Sequence, residues 1–433
     1  MCSGWWPGDF NVQFGENWLE VEELVLLGRS ATVKHRPCFL GGVSQILIGL
    51  GVLVVVFVGY NIGGSTIGPA FGPAVGSAVI SKVAAAALMA VFFFVGAITL
   101  GRRVVETLGS DLVTSTAIFT LEANVVVLFF IGGALFIGNY AGVPASTSMT
   151  AVGAIAGLAL SAGALNWTEM SQIMAWWIVA PVIAFWVSGV IGRYFYPRLN
   201  RRVALVQSEG PLVELDRSAA VPRPVPGPNT TRREFAGTVI VVAIGCLMAF
   251  SSGTSNIANA IAPLVGSDTI GMNEGIVLGS AAVAIGAFTI GRKTLDTLGN
   301  DLTALPLTAS IVVATVSATI VTLLSSIGIP ASFVIVATMS IIGLGWGRAT
   351  RTTTVGAMRD GEPTAVSPAS LAADEGGEEL PDIGEENPEE IPSAGELFNP
   401  STTVRVVLMQ NVVPVIATVA AYLTFTFVPV FGL

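Results

Sequence analysis

GGSTIGPAFGPAVGS at residues 63–77 and GTSNIANAIAPLVGS at residues 253–267 are one pattern written twice, 190 positions apart. Gly63, Ser65, Ile67, Ala70, Pro73, Val75, Gly76 and Ser77 recur as Gly253, Ser255, Ile257, Ala260, Pro263, Val265, Gly266 and Ser267. Both copies sit in strongly apolar surroundings, where so many glycines, prolines and small polar residues are out of place. Pro69, Pro73 and Pro263 lack an N–H, and the glycines weaken a helix further. Lipid offers no hydrogen bonds, so irregular backbone at membrane depth survives only inside protein or along a wet cavity. The pattern therefore predicts helix breaks at 63–77 and 253–267. The half-helix after a break presents unpaired N–H groups and a positive dipole end, which suit an anion. Matching breaks in two halves of a chain point to the central site of a transporter. Small residues also permit close helix packing, but packing alone does not call for the added prolines, hydroxyls and amides.

The duplication runs on from there. GAITLGRRVVETLGSDL (96–112) matches GAFTIGRKTLDTLGNDL (286–302), and GVPAS (142–146) matches GIPAS (328–332). PVIA at 181–184 returns at 414–417, displaced by an acidic, proline-bearing insertion at 346–400. Apolar stretches lie at 44–62, 78–100, 112–139, 144–164 and 172–195, then at 235–252, 273–291, 301–326, 329–345 and 401–430. An odd number of segments per copy makes the second copy enter the membrane upside down. The expected fold class is an all-α integral membrane protein of two inverted repeats, each of about five segments, with broken or re-entrant helices at the centre. Its parts are an N-terminal arm (1–42), repeat 1 (43–196), a linker (197–234) and repeat 2 (235–345 and 401–433), with the acidic loop (346–400) inside it. Residues 1–42 read equally as a soluble arm or as the product of an upstream start codon.

Composition agrees. The 433 residues are 52% hydrophobic and 11% charged, with a mean hydropathy of +0.75, which a soluble domain of this length does not show. Alternating strands of the outer-membrane type are absent from the pattern. Three cysteines and one histidine make neither a disulfide framework nor a metal site. Cys246 reads as a packing residue and His35 as a loop residue. No nucleophile–base set is visible, so no enzymatic activity, cofactor or nucleic-acid partner is expected. Arginines at both ends of 197–233, and Arg348, Arg351 and Arg359 at the start of the insertion, place both loops in the cytoplasm. Both termini then fall outside a multi-pass plasma-membrane protein. Glu122 lies in the third apolar stretch, where an acid is either functional or anchoring near a helix end.

PASTSM (144–149) and PASFVI (330–335) form a second pair. Proline followed by Ser or Thr starts and caps a helix. One hydroxyl explains a cap; Ser146, Thr147 and Ser148 together suggest ligand contacts. In the second copy only Ser332 remains, and there capping is an equal reading.

At these residues the chain resembles the inorganic phosphate transporter family (PiT), which also includes sulfate permeases. The family's G-A-N-D-V-A-N-S-F-G-T-S-V-G-S lies without gaps on GGSTIGPAFGPAVGS, and its second copy lies on GTSNIANAIAP. Its G-L-P-V-S-T-T-H resembles GVPASTSM and, more faintly, GIPASFVI. The resemblance implies a phosphate transporter working by alternating access, as a symporter with sodium or a proton; sulfate or another oxyanion is the second choice. A receptor or regulatory protein on the same scaffold is the alternative from another class. Carried over by position, the substrate residues are Ser65, Thr66, Ser146, Thr147, Ser148, Ser255, Asn256, Asn259 and Ser332. Thr66, Asn256 and Asn259 fall where the coupling ion would bind. The implied partners are inorganic phosphate or sulfate, the bilayer and a second copy of the chain. The family's aspartates stand here as Thr66 and Asn256, one asparagine as Pro69, its histidines as Met149 and Ile335, and a glutamate as Phe93. The site has therefore exchanged fixed negative charge for neutral groups.

Overall fold

The computed structural model describes residues 11–14, 17–20, 39–76, 80–140, 146–196, 198–199, 213–216, 223–226, 232–292, 295, 307–349 and 400–428. Most of the acidic loop and of the linker, His35 and Asp301 lie outside them. Two small antiparallel hairpins pair Asn11–Phe14 with Asn17–Glu20 and Val213–Asp216 with Arg223–Pro226. Apart from turns and short irregular segments, the other described residues are helical.

Each apolar stretch of the sequence carries one helix. In the first copy these are α1 (Phe39–Gly76), α2 (Lys82–Asp111), α3 (Leu121–Tyr140), α4 (Thr147–Ser161) and α5 (Trp167–Val190). In the second they are α6 (Arg232–Gly266), α7 (Met272–Phe288), α8 (Leu307–Ser326), α9 (Phe333–Ala349) and α10 (Pro400–Phe427). Among the described residues seven helices are long and apolar enough to cross a membrane, while α4, α7 and α9 are shorter. At 1.5 Å per residue α4 and α9 reach only about 22–26 Å, short of the roughly 30 Å hydrocarbon core.

The breaks expected at 63–77 and 253–267 are not there: α1 and α6 run as continuous helices through Pro69, Pro73 and Pro263. What the glycines supply is close packing. A Cβ on Gly63 would lie 2.0 Å from the Val283 carbonyl oxygen, and one on Gly253 2.0 Å from that of Phe93. A Cβ on Gly96 would lie 2.1 Å from the Phe250 oxygen, and one on Gly286 2.1 Å from that of Tyr60. Only a residue without a side chain fits between backbones this close. The real interruption follows α8. Gly328 takes φ +82, its N–H bonds to Ser325 and that of Ile329 to Leu324, so the helix ends in a left-handed cap. Arg103 donates to the Ser326 carbonyl. The irregular residues up to Ser332 are buried, with Ile329 at 1% and Ala331 at 3% exposure, as backbone outside a helix must be at this depth.

The glycine contacts are reciprocal. Val283 holds in copy 2 the place of Phe93 in copy 1, and Tyr60 that of Phe250. α2 therefore packs on α6 while α7 packs on α1. Likewise α9 packs on α5 and α10 on α4. Gly343 meets the Phe185 oxygen, and Gly157 that of Thr418. Contacts exchanged in this manner are the pattern a two-fold relation between copies produces. The main hydrophobic cluster is shared by Ile62, Phe93 and Ile155 of the first copy and Ile257, Val283 and Val321 of the second. Ile178, Val182 and Trp186 on α5, with Val415, Val419 and Leu423 on α10, stay exposed, as lipid-facing residues do. The Arg348 guanidinium lies 4.3 Å from the Tyr196 ring centroid, so the chain leaves α5 and α9 at the same end.

Residues 112–120, expected to begin the third membrane segment, form a turn with a bridge from Val113 to Leu165. Thr120 accepts from the Ala123 N–H and starts α3 there. Glu122 is thus a half-buried acid on the first turn of a helix, where the dipole favours it.

Candidate functional site

Ser146 caps α4. Its hydroxyl accepts from the Met149 N–H at 3.3 Å, and its carbonyl accepts from Thr150 Oγ1 at 2.7 Å. The cap aims Thr147 and Ser148 at the middle of α6. There the run SSGTSNIAN (251–259) places Ser252, Ser255, Asn256 and Asn259 at helical spacing on one face.

The two helices meet through side chains. Thr147 Oγ1 donates to Asn256 Oδ1 at 2.5 Å, and Asn259 Nδ2 donates to the same oxygen at 3.1 Å. Asn256 Nδ2 donates to Ser252 Oγ at 3.0 Å. Ser148 Oγ and Ser255 Oγ lie 3.2 Å apart, and each donates to the Ala331 carbonyl, at 3.0 and 2.9 Å. The next residue, Ser332, caps α9 by accepting from the Ile335 N–H at 3.4 Å. Ser146, Ser148, Ser255 and Asn259 are wholly buried, and Asn256 and Ser332 nearly so.

Seven of the nine residues expected to bind substrate thus belong to this cluster or cap the helices that form it. Ser65 and Thr66 do not join it. Both hydroxyls donate to the Ile62 carbonyl of their own helix, at 3.1 and 2.7 Å. The reason lies in the residues opposite. Where the cluster has Thr147 and Ser148, the other copy has Phe333 and Val334, and where it has Asn259 the other copy has Pro69.

The cluster carries no formal charge. Its hydroxyls and amide N–H groups are donors for an oxyanion, assisted by the dipole end of α4. Asn256 Oδ1 and the Ala331 carbonyl are acceptors, and Asn259 Oδ1 is buried without a hydrogen-bond partner. Those oxygens are the ones a cation could use. No group of three His, Cys, Asp or Glu side chains occurs among the described residues. Sequence reasoning missed Ser252, Ala331 and Trp177, whose Nε1 donates to the Pro330 carbonyl at 2.9 Å. The polar run 251–259 could have flagged Ser252. A backbone carbonyl leaves no letter in a sequence.

A model of the phosphate transporter family matches residues 62–361. The chain belongs to that family. The sulfate permease CysP of Bacillus subtilis is 30% identical over 267 residues, covering 62% of this chain and 68% of that one. A proposed phosphate permease of Chlamydia trachomatis is 25% identical over 396 residues, covering 71% of this chain and 92% of that one. Among solved structures, one titled as the sodium-dependent phosphate transporter superposes with a TM-score of 0.60. It is 17% identical and covers 88% of this chain and 100% of that one. The family match reaches both copies of the glycine-rich pattern and the capped start of α4.

Proposed function

We propose that this phosphate transporter family member moves inorganic phosphate across the membrane by alternating access, with its two copies inverted in the bilayer. The cluster of Thr147, Ser148, Ser255, Asn256 and Asn259 carries the reading. It is a buried set of neutral donors at a helix N-terminus, and a tetrahedral oxyanion can accept from several of them at once. Reciprocal packing of the copies supports a rocking of one against the other around such a site. The linkers at 197–234 and 346–400 face the cytoplasm, as their arginines suggest. A coupling ion, sodium or a proton, would meet only neutral oxygens here, so dependence on sodium is shallow.

Sulfate is the second reading, and two observations favour it. The sulfate permease relative is 30% identical. Thr66 and Asn256 also stand where the family pattern has aspartates. Sulfate presents only acceptors at neutral pH, while phosphate still carries a proton that needs an acceptor. Asn256 Oδ1, the amide oxygen facing Thr147, already accepts from Thr147 and from Asn259. Uptake of labelled phosphate and of labelled sulfate into proteoliposomes, with and without a sodium gradient, tests both readings. Uptake of neither anion would refute transport.

A further inference from the structure

Ser148 and Ser255 each own one O–H, and both are already spent on Ala331. The bonds are 3.0 and 2.9 Å long. An oxyanion cannot take those two protons while the carbonyl holds them. Binding at this pair therefore requires the Ala331 carbonyl to leave.

Ala331 lies in the irregular segment between α8 and α9, and the segment is held at the preceding residue from its other side. Trp177 on α5 donates from Nε1 to the Pro330 carbonyl at 2.9 Å. Beside that bond is a small crevice of about 10 Å³, lined by Trp177, Pro181, Ala331, Ser332 and Ile335 among others. Pro181 matches Pro414, so Trp177 matches Gln410, while Pro144, which matches Pro330, lies outside the described residues.

We propose that Trp177 is a positioning residue. It holds the Ala331 carbonyl on the Ser148–Ser255 hydroxyl pair, so that the empty site is closed by its own backbone. A tetrahedral oxyanion opens the site by taking over the pair. The inference rests on the oxyanion reading of the cluster. Closing the empty site in this way keeps both hydroxyl donors satisfied, since an unsatisfied buried donor is costly. The empty carrier can then return across the membrane with that pair occupied by its own backbone.

Trp177→Phe keeps a ring and removes the donor. One neutral hydrogen bond corresponds to a change of about 2- to 10-fold in the closed–open equilibrium. The reporter is Ala331→Cys in a chain whose Cys2, Cys38 and Cys246 have been replaced, with N-ethylmaleimide as the probe. Ser332→Cys serves as a nearly isosteric second reporter. Without anion, labelling is expected to be about 2- to 10-fold faster with Trp177→Phe than without it. Saturating phosphate or sulfate is expected to change the rate in the chain that keeps Trp177. Equal labelling with and without Trp177→Phe, at both reporters, would overturn the proposal whether or not an anion binds. Faster labelling with no response to either anion would keep the positioning role and refute the oxyanion reading. In proteoliposomes, Trp177→Phe is expected to slow net uptake, which needs the empty carrier to return, while anion exchange continues. A parallel fall of both also counts against the proposal.

Discussion

Around Gly253 the side chains of α4 and α6 form one bonded cluster, whereas around Gly63 the hydroxyls of Ser65 and Thr66 bond to Ile62 of their own helix. The backbones at these two places are treated alike. Gly63 and Gly253 each approach a carbonyl of the opposite copy so closely that a Cβ would sit 2.0 Å from it. If the polar cluster served only to pack the helices, the matching place around Gly63 would need one too, yet Ser65 and Thr66 bond to their own helix. Close backbone packing thus occurs at both places, while the polar cluster, built from α4 of the first copy and α6 of the second, forms at one. An anion at this site is held mainly from α4, α6 and the segment before α9.

The largest expected effect falls on the polar cluster. Each charge-assisted bond to an oxyanion is worth about 1.5–3 kcal/mol. Ser148→Ala with Ser255→Ala is therefore expected to weaken anion binding by about 3–6 kcal/mol and abolish uptake. Membrane yield and elution volume are expected to stay those of the wild type, because the Ala331 carbonyl is the main partner lost. Flux measurements on matched amounts of folded protein check this.

The next test attacks the likeness of the copies. Gly63→Ala and Gly253→Ala each force a methyl group into a backbone contact, and overpacking of this kind costs about 1–3 kcal/mol. Both are expected to lower thermal stability in detergent, and by similar amounts. A large loss for one with none for the other would break the two-fold account of the packing.

How far the sequence foretold this can be judged residue by residue. The ten helices were legible as ten apolar stretches, and the two copies as a shared pattern with fixed offsets. Pro144 followed by three hydroxyls marked the start of α4, and Asn256 and Asn259 marked its partner face. The continuity of α1 and α6 was not legible. A proline lacks one N–H, but whether a helix breaks there depends on neighbours that satisfy or exclude the freed carbonyl, and these come from the other copy. Ala331 was invisible because its contribution is a carbonyl. Ser65 and Thr66 read as site residues because their own letters match the pattern. What excludes them from the cluster lies at Pro69, Phe333 and Val334, far away in sequence.

The smallest effect belongs to the place around Gly63. Ser65→Ala removes a hydroxyl that bonds only to its own helix, so anion affinity is expected to change by no more than about 2-fold, the low end for one hydrogen bond. Equilibrium binding on purified protein checks it, and a loss as large as that of the serine pair would bring α1 into the site.

The central claim is that a neutral cluster where α4 of the first copy meets α6 of the second binds the oxyanion with little help from sodium. Its most direct test is calorimetric titration of phosphate and of sulfate against sodium concentration at fixed ionic strength. The titration compares the wild type with Thr66→Asp combined with Asn256→Asp. A carboxylate at membrane depth is costly, by about 2.5–3.5 kcal/mol on insertion scales, and a bound cation relieves that cost. Linkage then makes sodium and anion raise each other's affinity by the same factor. The predicted result is a shallow sodium dependence in the wild type and a steep one in the double variant. A steep dependence already present in the wild type would contradict the account, because neutral oxygens would then suffice to couple the two ions.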